Sequence, residues 1–205
     1  AINIINGVTG LEGLIPLAGP ANKQGRAVAD NVLGAKTKAN VSWGSSVLKV
    51  FDLTAASTGL NEESLQRDGY SLITSDYVAK DAENQKTYYK TYLHTNTHAG
   101  YYPGATSLQV KMLFDKTGKI LGAQAIGYAG VEKRIDVLAT AMQMGAKVSD
   151  LENLELCYAP PYSSAKDPVN MLGYTANNII KGDMNVWYAE EYDTISTAAK
   201  EGKVQ

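Results

Sequence analysis

The apolar positions along the chain change period several times, and the changes mark its elements. Residues 1–17 are glycine-rich and extended, ending in the apolar Leu14-Ile15-Pro16-Leu17. Ala18-Gly19-Pro20 then starts a helix, with Pro20 near the first position, where a missing N–H does no harm. Ala21, Gly25, Val28, Ala29 and Val32 share one face of it, small enough for close packing, and Gly34 ends it. From Val41 the pattern turns to strands, with residues 47–51 and 53–58 short, β-branched and nearly continuous. Leu60-Asn61-Glu62-Glu63 begins a short helix with Asn61 as its cap, and Asp68-Gly69 breaks it. Residues 70–77 return to strand, the polar run 80–90 reads as an exposed hairpin or insertion, and 92–97 are extended again.

The clearest hairpin joins residues 108–115 to 119–128 through Lys116-Thr117-Gly118. Residues 131–144 form an amphipathic helix, with Val131, Ile135, Leu138, Ala139 and Met142 as its stripe, Glu132, Arg134 and Asp136 facing elsewhere, and Gly145 at its end. A short helix over 148–154 takes Ser149 as its cap. Asp167-Pro168 opens the last strong helix as N-cap and first-turn proline, and Met171, Leu172 and Tyr174 lead on to Ile179-Ile180 before Gly182-Asp183. Residues 187–205 read as a strand and a helix. The middle of the chain, 41–180, is therefore an antiparallel sheet with interspersed helices, an α+β fold. The chain has no initiator Met and opens in mid-pattern, which carries the expectation of a segment from something longer.

Composition narrows the chemistry. Nineteen basic against twenty-one acidic residues leave a net charge of −2, without the basic bias of a nucleic-acid binder. No apolar run is long enough for a membrane span. The single cysteine, Cys157, excludes an internal disulfide and a thiolate metal cluster; its apolar, strand-like setting in 154–157 favours a buried, inert thiol. His94 and His98 stand four apart in an extended segment and do not share a face, so no metal site is expected. There is no nucleophile elbow and no glycine-rich phosphate loop.

What remains is a pair of tyrosine-bearing turns, His98-Ala99-Gly100-Tyr101-Tyr102-Pro103-Gly104 and the stretch 156–173. In the second, Ala159-Pro160-Pro161 is stiff and non-helical, because each proline fixes its own φ and restricts the residue before it. A rigid loop of this kind delivers Tyr158, Tyr162 and Lys166 to one place. A phenol can donate a proton to a developing anion, and a lysine can hold a phosphate or carboxylate. The residues alone leave two readings open: a ligand or partner surface, and a structural Tyr-Pro turn.

Five ordered blocks, LIPLAGPANKQGRAVADNVLG, VLKVFDLTAASTGL, HAGYYPGA, KILGAQAIGYAGVEKRIDVLATAM and LELCYAPPYSSAKDPVNMLGY, resemble the C-terminal part of the FAD-dependent coenzyme A-disulfide reductases, within the pyridine nucleotide-disulfide oxidoreductases. The resemblance implies that residues 1–40 are the tail of an FAD-binding domain, 41–181 a dimerisation domain, and 182–205 a linker with the truncated start of a rhodanese-like domain. It implies a cytoplasmic homodimer in which NAD(P)H reduces FAD and then a coenzyme A disulfide or persulfide, with the nucleotide-binding motifs and reactive cysteine upstream. Cys157 does not match that nucleophile's motif, and the His-Glu pair of related glutathione reductases has no counterpart here. Carried across residue by residue, Leu17 and Ala18 meet the flavin, Asn22 and Lys166 line the coenzyme A site, and Tyr101 and Tyr158 stand near the flavin and reactive sulfur. The alternatives are an NADH oxidase or peroxidase of the same superfamily, and a non-catalytic dimerisation module.

Overall fold

The structure, a computed structural model, describes residues 2–38, 41–74 and 85–201. Strand β1 (Ile4–Asn6) pairs antiparallel with β2 (Glu12–Gly13), and the uncapped helix α1 (Ala18–Val32) follows. Strand β3 (Val41–Ser42) returns to pair with β1 in parallel. Next come β4 (Ser46–Val50), β5 (Leu53–Gly59), α2 (Glu62–Arg67) and β6 (Ser71–Leu72). The long strands β7 (Thr87–Asn96), β8 (Ser107–Phe114) and β9 (Ile120–Gly127) complete a six-stranded sheet in the order β4-β5-β9-β8-β7-β6. Its pairs are antiparallel except for the parallel edge β6–β7. Helices α3 (Val131–Gln143), α4 (Val148–Leu151), α5 (Pro168–Lys181) and α6 (Tyr192–Lys200) end the chain.

The sheet is covered on one face. In β8, Leu108, Val110 and Met112 are buried beneath the helices while Gln109 and Lys111 point to the other side, the alternation that a half-covered strand requires. α3 packs on β5 and β9 through Val131, Ile135 and Leu138, each such side chain contributing about 1.5–3 kcal/mol on burial. The chain passes so close at Gly122 that a Cβ there would lie 2.0 Å from the Leu60 carbonyl oxygen, so only glycine fits. Local signals place the helix ends as expected. Asn61 accepts from Ser64 N–H at 2.8 Å, Asp167 accepts from Val169 N–H at 3.0 Å, and Gly182 closes α5 at φ 76°.

Several expectations are corrected. The small-residue face of α1 (Ala21, Gly25, Val28, Ala29, Val32) is exposed, and Ala27 is the helix's buried residue: spacing can align a face, but nothing among the described residues covers it. Arg134 does not face outward; it is 2% exposed. The short helix starts at Val148, with Ser149 inside it and Asp150 accepting the Lys147 N–H at 2.7 Å. Cys157 is exposed and lies in no strand. Residues 184–188 form no strand; a 3-10 turn, Ala189–Glu191, leads into α6 instead. Of the expected strand over 70–77, Ser71–Leu72 forms and 75–77 lie outside the described residues; of the expected exposed run, 80–84 lie outside them too. Thr87, Tyr88 and Lys90 belong to β7 and are buried.

Lys90 is the least expected of these, at 1% exposure. Its ammonium donates to Glu62 Oε2 at 2.9 Å and to Glu190 Oε1. Glu62 Oε1 also accepts from Lys111 at 2.9 Å, so two lysines share one carboxylate and Glu190 supplies the second negative charge. Tyr188 locks the same strand: its hydroxyl donates to Lys90 O at 2.8 Å and accepts from Lys90 N–H at 3.3 Å. Burial by itself lowers the Lys90 pKa, but its bonds to Glu190 and Glu62 outweigh that and hold it raised. Burial raises Glu62, and the bonds from Lys111 and Lys90 reverse the sign and leave it lowered. The bond from Lys90 lowers Glu190, and burial pushes Tyr188 up to about 12.

A depressed carboxylate contributes stability that is present above its ordinary pKa and lost as pH falls through the lower folded value. Urea denaturation should therefore show stability declining as pH drops below the ordinary carboxylate value of 4.5. Glu190→Gln should flatten that decline. At pH 7, Lys90→Ala should cost about 3 kcal/mol, because it strips a buried partner, and Glu190→Gln, at a half-exposed site, less than about 1 kcal/mol. Equal losses for the two variants would contradict this account of the buried lysine.

Candidate functional site

Two loops emerge at the same end of the sheet. The first joins β7 to β8: Thr97 N–H donates to Thr106 O at 2.8 Å, and a tight turn carries Tyr102 N–H onto Ala99 O at 2.9 Å. The His98 and Tyr102 rings meet edge to face at 5.9 Å. The second loop precedes α5, where Pro160-Pro161 stiffens a turn in which Tyr162 N–H donates to Ala159 O at 2.8 Å. The loops are tied directly, with Ala99 N–H donating to Ser163 O at 2.9 Å. From them Tyr101 and Tyr158 converge, and their hydroxyls stand 3.1 Å apart in a hydrogen bond. Tyr101 is 77% exposed and Tyr158 46%, so the pair faces outward.

Such a pair is chemically distinct from two lone phenols. One hydroxyl donates to the other, whose own proton stays available to an incoming anion. The Tyr158 pKa is raised, first by this hydrogen bond, then by desolvation and by the charge Tyr101 would carry. Tyr158 therefore remains protonated, and a donor, at neutral pH.

Beneath the pair lies a buried polar cluster. Arg134, on α3, donates through Nη2 to Thr97 O at 2.9 Å and Ser163 Oγ at 3.3 Å, and through Nη1 to Gly130 O at 3.0 Å. Its Nη2 stands 3.3 Å from Asp167 Oδ2, and Ser163 Oγ donates to that same oxygen at 2.6 Å. Gly130 caps α3 at φ 63°, and a Cβ on it would lie 2.3 Å from Arg134 Nη1, so the guanidinium uses the room that glycine leaves. The Asp167 cap is thus also the counter-charge of Arg134. Sequence reasoning missed Arg134, although its spacing from Val131 and Leu138 put it in the apolar stripe, where a charged residue needs a buried partner.

The other sequence-predicted residues are not gathered at the tyrosine pair. Lys166 is exposed, with its ammonium 5.8 Å from the centre of the Tyr174 ring. Tyr162 is exposed as well. Tyr158 therefore meets Tyr101, and among the described residues no hydrogen bond joins it to Tyr162 or Lys166. Leu17 is the N-cap position of α1, Ala18 its first residue, and Asn22 lies exposed in the same helix. A cavity of about 370 Å³ opens there, lined by Ile15, Pro16, Leu17, Ala18, Ala21 and Gln24. No side chain caps this helix end and no acidic residue sits in its first turn, which leaves backbone N–H groups available to an electron-rich ligand atom. Among the described residues no group of His, Cys, Asp and Glu could hold a metal.

The hydroxyl contact makes a spectroscopic prediction. With tyrosine labelled at Cζ, Tyr101→Phe should shift the Tyr158 titration midpoint to lower pH, toward that of an unpartnered phenol. An unmoved midpoint would mean that the two hydroxyls do not interact in solution.

Residues 45–168 match the family described as pyridine nucleotide-disulphide oxidoreductase, dimerisation domain. The coenzyme A disulfide reductase of Staphylococcus haemolyticus is 36% identical over 167 residues, covering 80% of this chain and 34% of that protein. The crystal structure of reduced Bacillus anthracis CoADR-RHD superposes with a TM-score of 0.84 at 46% identity, over 96% of this chain and 33% of that one. An NAD-dependent persulfide reductase from A. fulgidus gives a TM-score of 0.80 at 34% identity, over 94% of this chain and 33% of that one. The chain thus spans about a third of the length of the relatives it matches. With the matched family covering more than half of its residues, the chain belongs to the pyridine nucleotide-disulphide oxidoreductase dimerisation-domain family.

Proposed function

We propose that this chain is the dimerisation portion, preceded by the tail of an FAD-binding domain, of a cytoplasmic homodimeric flavoprotein that uses NAD(P)H to reduce coenzyme A disulfide or persulfide. The observation that carries the reading is the outward-facing hydroxyl pair of Tyr101 and Tyr158, 3.1 Å apart on two loops that are tied to each other. The names of the similar proteins support the substrate class, one being a coenzyme A disulfide reductase and another a persulfide reductase. The family's name supports a dimer. So does the edge strand β4, where Val47, Leu48 and Val50, with Phe51 beyond them, expose apolar surface of the kind an oligomer covers. No helix among the described residues is long and apolar enough to cross a membrane.

FAD, when bound, would supply two-electron transfer between NAD(P)H and a reactive cysteine of the upstream part. The uncapped start of α1 at Leu17 and Ala18 would hold the flavin, offering backbone donors beside a small cavity. In this reading Asn22 and Lys166 hold coenzyme A, the lysine as a point charge for phosphate. Tyr158, with Tyr101 as its hydrogen-bonding partner, donates to the coenzyme A sulfur as the S–S bond breaks and negative charge gathers on it. A donor held ready for developing charge lowers the barrier more than it strengthens ground-state binding. The balance is one disulfide, one NAD(P)H and one proton giving two thiols and NAD(P)+. Residues 182–205 are read here as a linker and the truncated start of an appended rhodanese-like domain, in keeping with sulfane-sulfur substrates.

In the full-length protein, Tyr158→Phe should lower kcat for coenzyme A disulfide about 10²-fold with little change in KM. Lys166→Ala should raise KM about tenfold and leave kcat nearly unchanged. Parallel assays with coenzyme A persulfide and with dioxygen name the acceptor. If both variants keep wild-type constants toward both sulfur substrates, this reading fails.

A further inference from the structure

Arg134 joins α3 to the two loops that carry Tyr101 and Tyr158. It sits on α3 and is 2% exposed, among partners equally removed from water, with Asp167 at 3% and Ser163 at 0%. Its Nη2 reaches the carbonyl of Thr97, four residues before Tyr101, and the hydroxyl of Ser163, five residues after Tyr158. Its Nη1 anchors the fork to Gly130 at the start of its own helix. Its Nε is buried and has no hydrogen-bond partner among the described residues, so the Nη contacts dictate the pose of the side chain at the expense of a satisfied Nε. A buried ion pair of this sort is weak evidence for stability, since an apolar replacement of similar volume would often do as well. What a planar fork with several fixed donors does better than any apolar residue is to set the relative position of the groups it binds.

We propose that Arg134 is a positioning residue for the tyrosine pair, holding the loop of Tyr101 against the loop of Tyr158 so that their hydroxyls meet. Among the described residues it makes no hydrogen bond to either tyrosine, and it works through Thr97 on one side and Ser163 on the other. The Ala99–Ser163 backbone bond brings the loops together, and the guanidinium fixes the register in which they meet. The consequence for catalysis rests on the function proposed above; the consequence for geometry does not. Lysine cannot substitute: it keeps the charge opposite Asp167 but offers a single nitrogen on a flexible stem in place of two nitrogens in a fixed plane.

The test is a double-mutant cycle read spectroscopically in the full-length protein, with tyrosine labelled at Cζ. In the wild-type background, Tyr101→Phe displaces the Tyr158 resonance and its titration midpoint. In an Arg134→Lys background that displacement should vanish while far-ultraviolet circular dichroism and oligomeric state stay unchanged. Ser163→Ala, which removes one anchor and little volume, should reduce the displacement by about half, and it provides the same test should Arg134→Lys fail to fold. Turnover is the second arm: Arg134→Lys should lower kcat on the order of tenfold to a hundredfold at constant KM. If the Tyr158 response to Tyr101→Phe persists in folded Arg134→Lys, or at full size in Ser163→Ala, the positioning role is overturned whatever the kinetics. If the response is lost but kcat holds, Arg134 positions the pair as inferred, and the assignment of the tyrosines to catalysis is what fails.

Discussion

The ion pair between Arg134 and Asp167 is formed almost out of reach of water, and the outward face of this end of the molecule depends on it. Asp167 caps α5 with one oxygen and receives Ser163 and Arg134 on the other, so the start of the helix, the loop before it and the neighbouring helix are coupled at one carboxylate. Asn170 extends the coupling inward, taking the Asp167 N–H and donating to the carbonyls of Leu151 and Leu154 at the end of α4. In a low-dielectric setting each of these groups would be costly if left unpaired, so the cluster holds together or fails as a unit. The exposed tyrosines inherit their positions from it.

A second charged cluster, built on β7 and β8, fastens the turn at 189–191 to the sheet. Lys90, Lys111 and Glu62 would leave one positive charge uncompensated at the sheet, and Glu190 balances it from a turn one hundred residues along the chain. The turn is held by Tyr188, whose hydroxyl both donates to and accepts from the backbone of β7. Residues 188–191 are thereby part of the packed unit. The backbone bonds of Tyr188 and the charge of Glu190 act on the same strand residue, so dislodging the turn would leave Lys90 with Glu62 alone, a carboxylate it already shares.

Between the two clusters the sheet is an asymmetric scaffold. One face carries the helices and the apolar core. The other leaves Leu48, Ala55 and Ile126 in a row across neighbouring strands, over a shallow concavity of about 560 Å³. Covering one face is what lets the sheet end in loops whose side chains point outward from rigid roots, an arrangement suited to offering groups to a site completed elsewhere. Membership of the dimerisation-domain family accords with such a division of labour.

Elements and caps were legible in the residues because their causes are local. Asn61 and Asp167 satisfy orphan N–H groups within three residues, Gly182 tolerates the left-handed turn that ends α5, and the alternation over the first residues of β8 encodes a half-covered sheet wherever the strands pack. The tyrosines at 101 and 158 were legible as candidate donors for the same reason, since a phenol's chemistry belongs to the residue. Which side chains meet was not legible. Lys90 sits in a polar run and Arg134 beside Glu132 and Asp136, and long cationic side chains are compatible with solvent or with a buried carboxylate. Likewise the stripe of α1 and the thiol of Cys157 have sequence contexts that suggest cover, yet burial depends on what lies opposite, and nothing among the described residues covers that stripe. The sequence by itself determined most of the elements, the ends marked by Asn61, Asp167 and Gly182, and the inventory of reactive groups. Only the tertiary structure decided that Tyr101 pairs with Tyr158, and that Arg134 and Lys90 are interior charges, because partners 57, 33 and 100 residues away are chosen by packing and charge balance across the sheet, not by any local preference of the chain.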